Sequence, residues 1–334
     1  MKAFLTGTAG FVGFHLARRL LAQSHEVTGY DGVTDYYDPA LKRARLTILQ
    51  QERGFRQIEG MLEDLPLLQR AVEEASPDIV IHMAAQPGVR YSLDHPETYI
   101  QSNVVGTANL LEALRRTPPQ HLLFASTSSV YGGNTKLPFA ETDRTDAPAS
   151  LYAATKKAGE AMVHSYAHLF GIPSTCLRFF TVYGPWGRPD MAIFKFTAAI
   201  LAGEPIEVYG HGHMRRDFTY VDDLVDAITR LAPRAPQKAV PVEGDSLSPV
   251  APFRVVNIGG GQPTELMDFI RAIEQATGRT ARINFTDMQP GDAVATAADA
   301  SLLRHLIGDV SSTDVETGVA RFVEWYRHWQ RSLG

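Results

Sequence analysis

An α/β fold is predicted: a doubly wound parallel sheet followed by a smaller mixed α/β C-terminal lobe. Three observations carry that prediction. Short apolar strands alternate with amphipathic helices through the first half of the chain, a glycine-rich turn (Gly7, Gly10, Gly13) joins the first strand to the first helix, and the alternation turns irregular after about residue 180. Strict alternation of strand and helix produces parallel pairing, because each helix carries the chain back to the end of the sheet from which it started. With 334 residues the chain can bury a large core.

Strands are expected at 2–6, 26–30, 55–59, 78–82, 121–125 and 174–179, and helices at 11–22, 39–51, 65–75, 94–116 and 150–169. Pro96 falls in the first turn of its helix, where a missing N–H costs nothing, and Gly171 stands just past the last one. Short helices follow near 191–202, 221–232, 264–277 and 312–331. The chain thus divides into a dinucleotide-binding domain, 1–180, onto which 215–235 should pack back, and a substrate lobe, 181–334. Five prolines (Pro233, Pro236, Pro241, Pro249, Pro252) predict an exposed, mobile loop over 233–252 without chemistry. Trp325, Tyr326 and Trp329 have helical spacing and read as core packing.

A net charge of -5 with both signs interspersed argues against nucleic acid or an anionic membrane as the main partner. No apolar stretch approaches membrane-spanning length, and Ala3 to Leu5 is too short for a signal peptide, so a cytoplasmic protein is expected. The single cysteine, Cys176, excludes an internal disulfide and a CxxC metal site, and the 11 histidines show no HExxH spacing; no metal is expected.

The turn Thr6-Gly7-Thr8-Ala9-Gly10-Phe11-Val12-Gly13 leaves a strand and opens a helix. There the backbone can approach a pyrophosphate, and free N–H groups with the helix dipole favour an anion. Asp31 lies 18 residues beyond Gly13, at the end of the second strand, where a carboxylate accepts from a ribose diol and repels a 2'-phosphate. The expected fold is therefore Rossmann-type and the expected cofactor NAD rather than NADP. Further cofactor contacts are expected from Asp64 and Leu65 at the adenine edge, from Ala84, Ala85 and Gln86 after the fourth strand, and from Asn103.

Of the 12 tyrosines only Tyr152 has a lysine four residues on, Lys156, and the pair follows a hydroxyl-rich strand end, Ser126 to Ser129. One helical turn apart, the ammonium favours the phenolate, which makes Tyr152 a candidate acid and base for hydride transfer to and from nicotinamide. A surface tyrosine and a solvated lysine would be the bland alternative, and the surrounding motifs speak against it.

These residues resemble the extended short-chain dehydrogenase/reductases, specifically the nucleotide-sugar epimerases, over nearly the whole chain: TGTAGFVG, HMAAQPGVRYSL, NVVGTANLLEA, ASTSSVYGG, YAATKKAGE, RRDFTYVDD, NIGGG and QPGD. VTDYYDPALKRARL and TVYGPWGRPDMA are most similar to UDP-glucuronate 4-epimerases. Met61 departs from the aspartate usual at the adenine. The resemblance implies that Thr127 bonds the sugar 4-hydroxyl beside Tyr152, that Lys156 grips the nicotinamide ribose and that Arg216 neutralises the diphosphate. It further implies Glu207 and Tyr209 flanking the uracil, Gln289 and Asp292 approaching its ribose, Thr296 near the sugar, and a homodimer sealed by helices 94–116 and 150–169.

Relatives that dehydrate sugars resemble this segment but carry an Asp-Glu pair where Ser128 and Ser129 stand, and decarboxylases keep a glutamate at Ser129. Epimerisation at carbon 4 needs neither carboxylate, so the expected substrate is a UDP-sugar, UDP-glucuronate, converted to UDP-galacturonate. Its 4-keto intermediate is a β-keto acid. Thr181 and Arg188, with Arg90 as a second candidate, are expected to hold the carboxylate against decarboxylation. The competing readings are a UDP-glucose/UDP-galactose epimerase, a UDP-glucuronate decarboxylase and, in a different class, an NAD-responsive regulatory binding protein.

Overall fold

The structure, a computed structural model, describes residues 1–289 and 291–333. The chain begins with β1 (Lys2–Thr6), α1 (Phe11–Ala22), β2 (Glu26–Asp31), α2 (Pro39–Gln50), β3 (Phe55–Glu59), α3 (Leu65–Ala75) and β4 (Ile79–His82). Two single turns, α4 (Tyr91–Asp94) and α5 (Pro96–Tyr99), a π-helical stretch at Ile100–Val105 and α6 (Gly106–Arg116) lead to β5 (His121–Thr127), α7 (Leu151–Phe170) and β6 (Ser174–Phe179). Next come β7 (Thr181–Tyr183), α8 (Ala192–Ala202), β8 (Pro205–Tyr209), β9 (Arg215–Tyr220), α9 (Val221–Leu231) and β10 (Phe253–Ile258). The chain closes with β11 (Pro263–Glu265), α10 (Leu266–Thr277), β12 (Arg282–Thr286), α11 (Ser301–Ile307) and α12 (Val315–Leu333).

Seven strands form one parallel sheet in the order β10-β6-β5-β4-β1-β2-β3. From β1 the chain steps outward to β3, then returns to β1's other side at β4. The crevice beyond the carboxyl ends of β1 and β4 is where such a sheet takes a ligand. The sheet is the Rossmann-type one expected, with one strand more: β10, buried at every residue, pairs with β6. It escaped the sequence reading because the second lobe separates it from β6.

Both faces are covered. Apolar residues of α1, α2, α9 and α11 pack on one, and those of α3, α6 and α7 on the other. Segments after residue 180 therefore complete the first layer as well as building the second lobe. That lobe holds a three-stranded sheet, β11-β9-β7, a parallel pair, β12-β8, and a separate core from α8, α10 and α12.

The single helix expected over 94–116 is broken. His95, pushed out of the helical conformation ahead of Pro96, ends the first turn. The π-helical stretch then turns Asn103 inward, where it accepts from Gln86 N at 2.7 Å and donates to Gln86 O at 3.1 Å and to Thr155 Oγ1 at 3.1 Å. Gly106 lets the helix approach α3's leading loop, since a Cβ there would stand 2.6 Å from Leu62 Cβ.

The 233–252 segment has no helix or strand beyond residue 233, yet its second half is tied down. Asp245 pairs with Arg254 in a buried salt bridge, and His164 and His168, one turn apart on α7, engage Ser248 Oγ and the Val250 carbonyl. The expected mobile loop is thus anchored where it re-enters the sheet.

Candidate active site

The glycine turn is held from two directions. Ala9 N donates to Asp31 Oδ2 at 2.9 Å, and Val33 N donates to the other oxygen at 2.8 Å, which leaves remaining lone pairs of Asp31 facing the crevice. Burial pushes the Asp31 carboxyl up, while these backbone donors and the Lys42 and Arg45 cations pull it back. A Cβ on Gly13 would fall 2.0 Å from the Gly7 carbonyl oxygen, so only glycine lets helix and loop pack this closely. α1 has no side-chain cap, and its first-turn residues Phe11, Val12 and Gly13 line the crevice. An uncapped helix N-terminus beside a carboxylate fits a dinucleotide: donors for the pyrophosphate, an acceptor for the ribose. Gly7, Gly10, Phe11, Val12, Gly13, Asp31, Ala84, Ala85 and Gln86 would hold NAD.

The crevice continues into a cleft of about 300 Å³ that Thr127, Tyr152, Lys156 and Arg188 also line. β5, buried along its whole length, delivers Thr127. α7 starts at Ser150, whose hydroxyl accepts from Ala153 N at 3.1 Å, and presents Tyr152 and Lys156 one turn apart. Burial raises the Tyr152 phenol; the Arg188 cation and a hydrogen bond with Thr127 lower it again. Arg188 thus adds a charge on Tyr152 beside the one expected from Lys156. Lys156 stands 4.9 Å over the Phe124 ring, and its ammonium is pushed down to about 8 by burial, against the pull of Cys176 and Glu160.

Behind this pair Glu160 accepts from Ser126 Oγ at 2.7 Å and from both Arg178 Nε and Nη2 at 2.9 Å. Burial opposes the Glu160 charge, but the Arg178 bonds hold its carboxyl below the usual range. Ser128 and Ser129 follow Thr127 in a tight turn, with Ser129 N donating to Thr127 Oγ1 at 3.2 Å.

Several expected residues stand elsewhere. Asp64 is the N-cap of α3, accepting from Leu67 N at 3.0 Å, and with Leu65 it lies outside the lining, to which Met61, Leu62 and Glu63 belong instead. Pro66 directly after Leu65 marked Asp64 as a cap. Asn103 lies buried under Gln86 and shapes the loop. Thr181 is in β7, opposite Phe218, and does not line the cleft with Arg188.

A second group gathers around Asp292. Arg90 pairs with it at 2.7 Å and stands 4.2 Å over the Tyr209 ring, so Arg90 belongs here rather than beside Tyr152. The Arg216 guanidinium, drawn down by burial and supported by Asp292, donates to the Val294 carbonyl at 3.2 Å. Glu207, on β8, accepts from Asn284 at 2.9 Å, and Gln289 reaches the Asp287 carbonyl at 3.5 Å; Pro290 of QPGD lies outside the described residues. Thr296 Oγ1 accepts from Asp217 N at 3.3 Å.

Tyr36, Tyr37, Lys42, Thr98, Ser102, Phe180 and Met191 also line the cleft and were missed. Lys42 donates to the Thr34 carbonyl at 2.6 Å. Lys42 and Arg45 lie on α2, beyond the loop that follows Asp31, and no spacing in the sequence singled them out. Trp186, with φ +59, is braced by Trp325 and Trp329 of α12 at 5.4 and 5.6 Å, and this fixes the loop that carries Arg188. The C-terminal aromatics are core packing, as expected. Among the described residues no helix is long and apolar enough to cross a membrane, and no group of His, Cys, Asp and Glu could hold a metal ion.

Comparison with known proteins agrees with this geometry. A sequence model of the NAD dependent epimerase/dehydratase family matches residues 3–243. The chain is 56% identical over 330 residues to a protein of Rhizobium meliloti (strain 1021) named probable UDP-glucuronate 4-epimerase, covering 98% of this chain and 97% of that one. It is 45% identical to UDP-glucuronate 4-epimerase 4 of Arabidopsis thaliana, over 98% of this chain and 75% of the plant protein. The crystal structure of a UDP-glucuronic acid 4-epimerase from Bacillus cereus, in complex with UDP-glucuronic acid and NAD, superposes with a TM-score of 0.88 at 31% identity, covering 98% of this chain and 100% of that one. The chain belongs to the NAD dependent epimerase/dehydratase family.

Proposed function

We propose that this protein epimerises UDP-glucuronate at carbon 4, giving UDP-galacturonate through a 4-keto intermediate. The observation that carries the reading is Arg188, which lines one cleft with Tyr152 and Thr127 while serines occupy the two positions before Val130 and Tyr131. A guanidinium suits the carbon-6 carboxylate, and without carboxylates at those serines no second acid and base stands ready for dehydration.

Tyr152 removes the 4-hydroxyl proton and later returns it, with Thr127 orienting the hydroxyl and Arg188 lowering the phenol's proton affinity. NAD, when bound in the crevice, would supply the hydride acceptor and donor for carbon 4. Lys156 would hold the nicotinamide ribose. Arg216, Tyr209, Glu207, Gln289 and Asp292 anchor the UDP end, so the sugar turns about its diphosphate link while the nucleotide stays fixed. Arg188 restrains the carboxylate of the keto intermediate. We assign the adenine edge to Met61, Leu62 and Glu63.

A homodimer goes with this reading. The α5–α6 segment and α7 leave Ile100, Val105, Leu169 and Phe170 exposed, a seam that a second copy would cover. A cytoplasmic location goes with the single, buried thiol of Cys176. Measuring kcat/KM for UDP-glucuronate against UDP-glucose tests the substrate: the uronic acid should lead by at least about 100-fold, the value of one buried charge-assisted bond pair. Equal values would move the assignment to UDP-glucose.

A further inference from the structure

Arg188 does not meet the cleft as a lone cation. Its Nε donates to Asp190 Oδ1 at 3.0 Å and its Nη2 to Asp190 Oδ2 at 2.5 Å, and Tyr36 donates to that same Oδ2 at 3.0 Å. Arg188 and Tyr36 line the cleft, and Asp190 stands behind them. A guanidinium carries its five N–H donors in a rigid fork. With the Nε/Nη2 edge held by a bidentate carboxylate the plane of the fork is fixed, and the Nη1 protons remain for a ligand.

We propose that Asp190, held by Tyr36, is a positioning residue that aims Arg188 at the substrate carboxylate and thereby keeps the keto intermediate from losing carbon dioxide. The inference rests on the UDP-glucuronate reading above. At the 4-keto stage, decarboxylation breaks the C5–C6 bond. Its electron pair enters the C4 carbonyl as an enolate, C5 then takes a proton, and carbon dioxide leaves; the hydride removed from C4 returns to C4 in either outcome. The bond breaks only when it stands perpendicular to the carbonyl plane. A guanidinium that cannot turn holds the carboxylate away from that arrangement, and one free to rotate follows the carboxylate into it.

Charge separates this role from a merely structural one. Asp190 offsets part of the Arg188 charge, so removing it strengthens the attraction for the substrate anion while loosening its orientation. Asparagine in its place offers one acceptor and turns an N–H toward the guanidinium's own donors. Binding and product ratio should therefore move in different directions.

The test compares NAD-loaded wild type, Asp190→Asn and Tyr36→Phe on UDP-glucuronate, with products resolved by proton NMR and KM measured alongside. In Asp190→Asn the UDP-pentose should rise from a trace to about a tenth of product or more, with KM unchanged or lower. Tyr36→Phe, which removes one hydroxyl and leaves the ion pair, should move the ratio the same way by less. An unchanged ratio in both variants, beside a wild type that epimerises, overturns this proposal alone. A wild type inert toward UDP-glucuronate overturns it together with the function on which it rests.

Discussion

Arg45 reaches across 141 residues of sequence to donate from Nη2 to the Trp186 carbonyl at 2.6 Å. The same side chain, fully buried, donates from Nη1 to the Ala9 carbonyl and to Tyr37 Oη, both at 2.7 Å. One guanidinium thus ties the dinucleotide turn to the loop that carries Arg188.

Arg45→Met should weaken both sites together. It strands two buried carbonyls, each worth about 1–3 kcal/mol when left unsatisfied, and frees the two loops from each other. Titration should show looser NAD binding and a UDP-glucuronate KM raised about tenfold or more. A change in one without the other would mean that the strap couples nothing.

The proton affinity of Tyr152 is set by opposing effects: burial raises it, and Arg188 lowers it. Arg188→Gln removes the lowering charge, so the phenol ionises at higher pH and the rise of kcat with pH should shift toward alkaline values. An unshifted limb would remove Arg188 from the electrostatics of the reaction.

Lys156 is held at a cost to folding. Its ammonium titrates near 8 in the fold against 10.5 in the open chain, so the folded state binds fewer protons between those values. The cofactor-free protein should therefore gain stability from this group as pH rises from about 8 toward 10.5. Lys156→Met should raise the melting temperature of the cofactor-free protein at pH 7 while abolishing turnover and weakening NAD retention. A lower melting temperature would show that the ammonium is better solvated than its burial implies.

The Glu160–Arg178 pair, with both side chains 3% exposed, stiffens the floor beneath Thr127 and Lys156. Removing one partner leaves a buried charge uncompensated: Glu160→Ala should cost about 3–5 kcal/mol in urea denaturation. Because Arg178 holds the Glu160 carboxyl low, that stability is present above the ordinary carboxylate range near 4.5 and is lost as pH falls through the lowered folded value. A loss below about 1 kcal/mol would place the pair among surface-like bridges.

The parts of the fold legible in the sequence were those that local patterning specifies. β1 to β6 alternate with helices whose apolar stripes recur every three to four residues, and the glycine turn needs a backbone no other residue supplies. Gly171 closed α7 in the sequence as it does in the fold, where Ser150, expected as the first helical residue, is the N-cap. β10 was not legible, because what makes it a strand is β6, 79 residues earlier in register, from Phe253 opposite Ser174 to Ile258 opposite Phe179. In the site, Gly7, Asp31, Thr127, Tyr152, Lys156 and Arg188 converge on one cleft as their motifs suggested. Tyr36, Lys42 and Asp190 stayed hidden, since an aromatic, a lysine and an aspartate in loops carry no spacing of their own. Asp64 misled for the opposite reason: a carboxylate beside a helix start serves equally as a cap and as a ligand acceptor.

Incubating the purified protein with UDP-glucuronate, without added cofactor, and following the products by proton NMR separates epimerisation from its alternatives. UDP-galacturonate should approach a steady ratio with UDP-glucuronate, NAD being regenerated in every cycle. A UDP-pentose as main product would contradict the restraint assigned to Arg188, and no reaction even after NAD is supplied would contradict the substrate.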